Sequence, residues 1–404
     1  MNQLAMVPSA RPAAVSFSGG RSEFRRLVTR GAALELVTVG FYRFWLATDI
    51  RRHLWLHTAV DDDALEYTGR ARELLIGFLF ALAILVPVYV AYFLVGLEAE
   101  RLKAFAAVPL VLFFYVFGQF AIYRARRYRL TRTVWRGVRF WMDGSGWAYA
   151  ARAALWGLLM ALTLGLILPW REAALERYKM RHSYYGDLQG HFAATGWELF
   201  KRGWGVWLFA MASFLVLFVL IPLAKTVPAL RPFSIIASLF AIFIPLAAPF
   251  LYAIYKAIEW RWWLSGIRFG DVSLESELGT GALIGVYWKV IFWFVLIVTL
   301  FSAYLFGCAA LTASFRQIPI AKLFAGGHLQ GDLPMLALVA IGYLALILVL
   351  NVVMRMYLLR DVWAKLAAST IVHQIDRAAD VAVKGDLADA VGEGLADGLD
   401  LVGF

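Results

Sequence analysis

Charge is scarce in this chain. Of its 404 residues only 17% are charged and 62% are apolar, whereas a soluble domain holds about a quarter charged and close to half apolar residues. The shortage excludes an ordinary globular protein. Cysteine is nearly absent: Cys308 stands alone, which excludes an intramolecular disulfide and any multi-cysteine metal site. Catalytic signatures are missing as well. No H-E-x-x-H, Walker phosphate loop or G-x-S-x-G occurs, and "GTGALIG" at 279–285 has the wrong spacing for a nucleotide-binding glycine fingerprint. The reading is therefore of no enzyme, no cofactor and no metal. The opening "MNQLAMVPSARPAAVSFSGG" lacks the apolar core of a signal peptide, so the early membrane segments are expected to direct insertion.

What the chain has instead is long uncharged runs. Seven windows stand out: 74–96, 104–122, 153–170, 203–224, 233–255, 282–306 and 335–354. Six contain no charged residue, and the seventh contains only Lys289. A helix needs roughly 20 apolar residues to cross a hydrocarbon core, so the chain reads as a polytopic helical membrane protein. Its net charge of +11 is concentrated at Arg51–Arg52, 124–139, 171–181, 256–268 and 355–365. By the positive-inside rule these clusters face the cytoplasm.

One run does not fit that assignment. Clusters 124–139 and 171–181 belong on one side, yet only window 153–170 separates them. That window ends in Pro169-Trp170, where its helix should break. It also repeats an earlier stretch: "TVGFYRFW" from Thr38 and "TLGLILPW" from Thr163 lie 125 residues apart. Without a gap, Thr38, Gly40, Trp45, Arg52 and His57 align with Thr163, Gly165, Trp170, Arg177 and His182. Both copies are read as interfacial or re-entrant elbows, with Trp45 and Trp170 at headgroup depth. Six true spans then remain, with both termini inside. Internal repeats are common in membrane proteins that move substrates; the alternative is a duplication kept for packing.

Extended stretches follow the helices. Residues 54–69, 130–146, 180–196 and 264–281 each alternate apolar and polar residues around a Gly or Asp turn, and read as β-hairpins on the cytoplasmic face. An Arg stands six residues before the Thr or Ser of the first three: Arg52/Thr58, Arg127/Thr133 and Arg177/Ser183. The expected fold is thus all-α and polytopic with small cytoplasmic β-hairpins, about six spanning helices, two elbow helices and an internal duplication. Residues 1–20 form a flexible segment and 21–372 the membrane domain. Within that domain 30–123 and 155–255 are related, with a further hairpin–helix unit at 256–354. Residues 373–404 form an acidic tail.

The motifs resemble a known family. "SFSGGRSEF", "LVTVGFYRFW", "RRHLWLHT", "LEYTGRARELLIGF", "LTLGLILPWREAALERYKM", "WRWWLSGIRFG" and the ending "VGEGLADGLDLVGF" are similar to blocks of the YjgN-like bacterial inner-membrane proteins. The likeness runs from Ser16 to Phe404. Met142-Asp143 in "VRFWMDGSG" and the residues after Trp170 depart from its pattern. The resemblance implies an inner-membrane, multi-pass protein and implies no reaction.

Candidate sites follow from charge and repetition. Arg52, Arg127, Arg177 and Arg261, placed where helices emerge, suit anionic headgroups or an anionic ligand, since guanidinium forks match phosphate. The alternative is topology anchoring with pairing to hairpin carboxylates. His57 and His182 are a candidate symmetric pair. The expected activity is transport or handling of lipid or another anionic ligand, with anionic membrane lipids as partners and no nucleic acid. A scaffold that recruits a protein to the cytoplasmic face is the alternative. The elbow reading has a direct check: cysteines introduced as Ser145→Cys and Gln189→Cys label from the same side of the membrane, and labelling from opposite sides overturns it.

Overall fold

The computed structural model describes residues 12–98, 103–317, 333–379, 381–385, 387 and 388. They fall into two units. The first takes the described residues up to Ser18, Arg51–Leu283 and those from Ala364 on; the second takes Gly19–Ile50 and Ile284–Trp363.

The first unit is built on one sheet. Its strands are β1 Ala13–Phe17, β2 Thr58–Val60, β3 Asp63–Ala64, β4 Glu66–Tyr67, β5 Thr133–Trp135, β6 Val138–Met142, β7 Ser183–Tyr185, β8 Leu188–Phe192, β9 Ile267–Phe269, β10 Val272–Ser276 and β11 Thr370–His373. All pairings are antiparallel, in the order β3-β2-β1-β11-β10-β9-β8-β7-β6-β5-β4. The two ends of that order, β3 and β4, are successive parts of one extended segment interrupted only at Leu65. The first part pairs with β2 and the second with β5, so the sheet nearly closes into a barrel.

Inward-facing residues fill the barrel, as the pleat's two-residue period requires. Trp135, Val138, Tyr185, Val272 and Val372 are buried together, with Phe140, Leu188, Phe269 and Leu274 packed against them. The Tyr185 hydroxyl donates to the Trp135 carbonyl at 3.1 Å. The segment after β11 completes the core: Ile375 and Ala378 join this cluster and Val381 packs on it. The tail continues across the sheet, with the Ala382 amide donating to Asp187 at 3.2 Å. The Ala388 amide then reaches the Thr131 hydroxyl at 3.4 Å.

The helices are α1 Arg21–Val37, α2 Arg43–Leu56, α3 Ala71–Glu98, α4 Lys103–Thr131, α5 Gly146–Leu162, α6 Leu168–Arg181, α7 Gly196–Leu215, α8 Ile221–Thr226, α9 Arg231–Gly266, α10 Ile284–Arg316, α11 Leu333–Met354 and α12 Val362–Ala368. A π-helical turn, Val216–Leu220, joins α7 to α8, and another, Arg355–Asp361, joins α11 to α12. Ser145 caps α5 and Thr195 caps α7, the latter in a reciprocal capping box with Glu198. Among the described residues five stretches are long and apolar enough to cross a membrane: Ala71–Leu94, Gly196–Ala224, Ala237–Gly266, Ile284–Phe315 and Pro334–Ala368. They mark a membrane protein.

Strand direction orders the whole arrangement. Helices run into β2, β5, β7, β9 and β11, and helices leave from β1, β4, β6, β8 and β10. In an antiparallel ring these two sets alternate, so every helix-bearing strand end lies on one rim. The two-residue turns at 61–62, 136–137, 186–187 and 270–271 lie on the other. The turn residues Asp61, Asp62, Arg136, Gly137, Gly186 and Gly270 have positive φ, as tight hairpins require.

The expected fold class needs correction. The four hairpins occur where the alternation put them, but they are not small separate ribbons beside helices. They are joined, through β1 and β11, into an eleven-stranded sheet. A lone hairpin has two edges of unpaired N–H and C=O groups; here the edges are paired with the next hairpin or with β1 or β11. Of the six expected spans, five contain a stretch of spanning length among the described residues; the sixth, window 104–122, lies in α4, part of it outside the described side chains. The basic run at 124–139 is helical as far as Thr131 and then enters the second hairpin. Residues 1–11, 318–332 and 389–404, with much of the acidic tail, lie outside the described residues.

Because Ile375 is buried in the barrel at 4% exposure, Ile375→Ala is expected to destabilise the first unit by roughly 2–5 kcal/mol. A fall in melting temperature in detergent, followed by tryptophan fluorescence, checks this.

Candidate functional site

The elbow motif is a turn between two helices, built twice in the same way. Thr38 ends α1: its hydroxyl donates to Leu34 O at 2.7 Å and accepts from the Tyr42 amide at 2.9 Å. Thr163 does the same after α5, donating to Leu159 O at 2.8 Å and accepting from the Ile167 amide at 3.4 Å. The next two residues turn left-handed: Val39 and Gly40 at φ 52° and 87°, Leu164 and Gly165 at 49° and 83°. A Cβ on either glycine would meet nothing within 4 Å, so glycine is needed for its backbone freedom and not for space. Pro169 then opens α6, where its missing N–H costs nothing. Trp45 stacks on Tyr42, and Trp170 packs on Trp197 and Phe200. Neither elbow is among the stretches of spanning length.

The repeated arginines hold hairpins to helices. Arg52 Nη2 donates to the Gly69 carbonyl at 2.9 Å, and Arg177 Nη2 to the Ala194 carbonyl at 3.3 Å, each seventeen residues on. Arg127 does not repeat this contact: its Nε is buried without a hydrogen-bond partner. Arg261 is exposed on α9. All four stand near the end of a helix that enters the barrel, at β2, β5, β7 and β9, and so near the same rim. The Thr or Ser that follows each motif is the first residue of its strand. Thr58, Thr133 and Ser183 donate to the carbonyl four residues back at 2.7, 2.9 and 2.8 Å. Thr370 does so at 2.7 Å, a junction that carries no arginine six residues earlier and was not read from the sequence.

His57 and His182 occupy matching junctions but have separate partners. His57 Nδ1 lies 2.7 Å from the His53 carbonyl, while His182 Nδ1 lies 2.7 Å from Asp143 Oδ1. The strands they lead into, β2 and β7, are not neighbours in the sheet.

Beneath the second elbow lies an ionic layer. Glu176, buried on α6, is held by Arg126 at 2.9 Å and by Lys179; Glu172 pairs with Arg171. Burial pushes the Glu172 carboxyl up. For Glu176 burial acts in the same direction and is the largest influence, but Lys179 and Arg126 outweigh it and hold the carboxyl at about 2.

The second unit contains a groove of about 660 Å³. Arg21, Arg25 and Thr29 line it from α1, spaced four apart and therefore on one helical face, with Ser22 beside them. The opposite wall is aliphatic: Leu348, Val349, Val352 and Val353 of α11. Trp293, Met356 and Tyr357 complete it. Arg21 is fixed by Asp361 at 3.1 Å and lies 5.0 Å over the Tyr357 ring. Arg25 is exposed and has no carboxylate partner among the described residues. One side thus offers cationic and hydroxyl donors, the other hydrocarbon. Sequence reasoning missed these residues, although the Arg-x-x-x-Arg-x-x-x-Thr spacing was legible.

The Glu176 carboxyl lies below its ordinary value of 4.5, so its contribution to stability is present above about 4.5 and is lost as pH falls toward 2. Glu176→Gln, which leaves Arg126 and Lys179 without their carboxylate, is expected to cost roughly 3 kcal/mol at neutral pH. The gap between the two proteins' melting temperatures should shrink as pH falls from about 4.5 toward 2; a constant gap would contradict the assignment.

No curated protein and no solved structure matches the chain. A family model described as bacterial protein of unknown function (DUF898) matches residues 12–287, from the start of β1 into α10, in agreement with the likeness carried by the motifs. That match covers more than half of the sequence, and the chain belongs to this family of bacterial proteins.

Proposed function

We propose that this is a multi-pass inner-membrane protein that binds an anionic phospholipid in the groove of the second unit, as part of moving or presenting lipid. The observation that carries the reading is the division of that groove between an arginine–hydroxyl stripe and an aliphatic wall. A phospholipid has the same division, and guanidinium–phosphate hydrogen bonds are among the stronger ones available. Arg25 is the natural headgroup contact, since Arg21 is already engaged by Asp361. The barrel belongs on the cytoplasmic side: Arg52, Arg127, Arg177 and Arg261 gather near the helix-bearing rim, where the positive-inside rule favours them. Both termini then lie inside. The two identically constructed elbows support an internal duplication.

The arginines of the rim are assigned to architecture, because Arg52 and Arg177 hold backbone carbonyls. Native mass spectrometry of gently extracted protein separates the two possibilities. A phosphatidylglycerol adduct is expected to weaken roughly tenfold or more in Arg25→Glu, consistent with loss of a charged hydrogen bond. It should persist in the Arg52→Ala/Arg177→Ala double variant. An adduct lost only in the double variant, or none in the wild type, would sink the proposal.

A further inference from the structure

A second cleft, of about 190 Å³, lies within the first unit between the second elbow and α7. Leu168 and Pro169 line it from the elbow, Phe200, Trp204 and Trp207 from α7, and Tyr255 from α9. Its side chains are hydrocarbon or indole apart from Tyr255. The Trp207 indole N–H is directed to the Leu164 carbonyl at 3.4 Å, which fixes one wall to the elbow turn.

Tyr255 is the anomaly. Its hydroxyl is buried and has no hydrogen-bond partner, a condition that costs free energy unless something supplies one. The ring is held in place by Gly203, where a Cβ would come within 3.0 Å of Tyr255 Cε2. Any larger residue there would displace the ring. Among the described residues no cationic side chain lines the cleft, so an anionic group is disfavoured beside the hydroxyl. Size narrows the occupant further. An apolar cavity of about 150 Å³ accommodates a benzene ring; this cleft takes one ring, not a whole lipid. Aromatic walls favour offset stacking with a flat partner. Access is from the hydrocarbon phase, since α7 lies in the spanning stretch Gly196–Ala224 and exposes Trp204, Leu208 and Phe214.

We propose that this cleft binds a neutral, membrane-soluble ring carrying a hydrogen-bond-accepting oxygen, of the quinone class, with Tyr255 as the donor. The site is separate from the groove of the second unit in place and in the charge it accepts, and does not rest on the lipid reading.

The probe is a benzoquinone with a short alkyl tail, added to the whole protein in detergent, with tryptophan fluorescence as readout. Trp204 and Trp207 line the cleft, so a saturable component of quenching is expected in the wild type. In Tyr255→Phe its half-saturation concentration should rise about three- to tenfold, the worth of one hydrogen bond, with no fall in melting temperature. Ala210→Phe, which fills the cleft from its exposed rim, should abolish the saturable component. Arg25→Glu should leave the curve unchanged. Quenching that rises linearly without saturation, identical curves in Tyr255→Phe and wild type, or a shift in Arg25→Glu would each overturn the proposal.

Discussion

The first unit depends on the pairing of strands that are too short to stand alone. None exceeds five residues and two have only two, while an isolated hairpin is marginal in water even at greater length. The nine strands between the two ends of the order each pair on both sides, and each contributes one or two side chains to a shared interior. Closure is therefore cooperative. Arg136 reinforces the seam at the far rim by binding Asp61 and Asp63, beside the indole of Trp135, which donates to the Asp63 carbonyl at 3.3 Å. Those carboxylates are half exposed, so they contribute register more than energy.

Direction of the strands then determines the rim at which each excursion of the chain leaves and rejoins the sheet. An antiparallel ring alternates strand direction, so chain that leaves one strand must return to its neighbour on the same rim. Three excursions contain a pair of helices, and the other two contain three, with a π-helical turn joining two of them in each. The repeated hydroxyl at the strand start is the local solution to a hard join. A helix ending in a strand leaves its last carbonyls without amide partners. Thr58, Thr133, Ser183 and Thr370 each supply a donor to one of them. Arg52 and Arg177 perform the matching task at the strand's exit.

Local signals made about half of this legible. The hairpins could be read because alternation and turn residues lie within a dozen positions, and the elbows because Thr-x-Gly has a specific backbone meaning. The barrel could not, because it needs β1 and β11, "AAVSF" and "TIVH", to pair across the whole length of the chain. Nothing within either tetrad or pentad says that it must. The groove was hidden for the same reason: Arg21 and Arg25 face residues more than 300 positions away. The arginine pattern was seen correctly as repetition, but repetition alone could not distinguish a backbone clamp from a ligand contact.

The two elbows carry this distinction further. Their helices and following strands begin and end at positions shifted by the same 125 residues, and the turn chemistry is the same. The faces differ. Positions 21, 25 and 29 are Arg, Arg and Thr, whereas 146, 150 and 154 are Gly, Ala and Ala. The first elbow therefore has a helix able to meet a charged group, and its cavity is cationic. The second has small residues that let α5 lie close to α4, where Gly146 faces Phe120 and Gly157 faces Tyr115. Its cleft opens instead at the turn, among tryptophans. One backbone device, the same in its hydrogen bonds at both copies, thus stands beside two cavities of opposite lining. Their difference lies in side chains that the turn itself does not constrain, so the two copies can diverge at these positions without disturbing the fold.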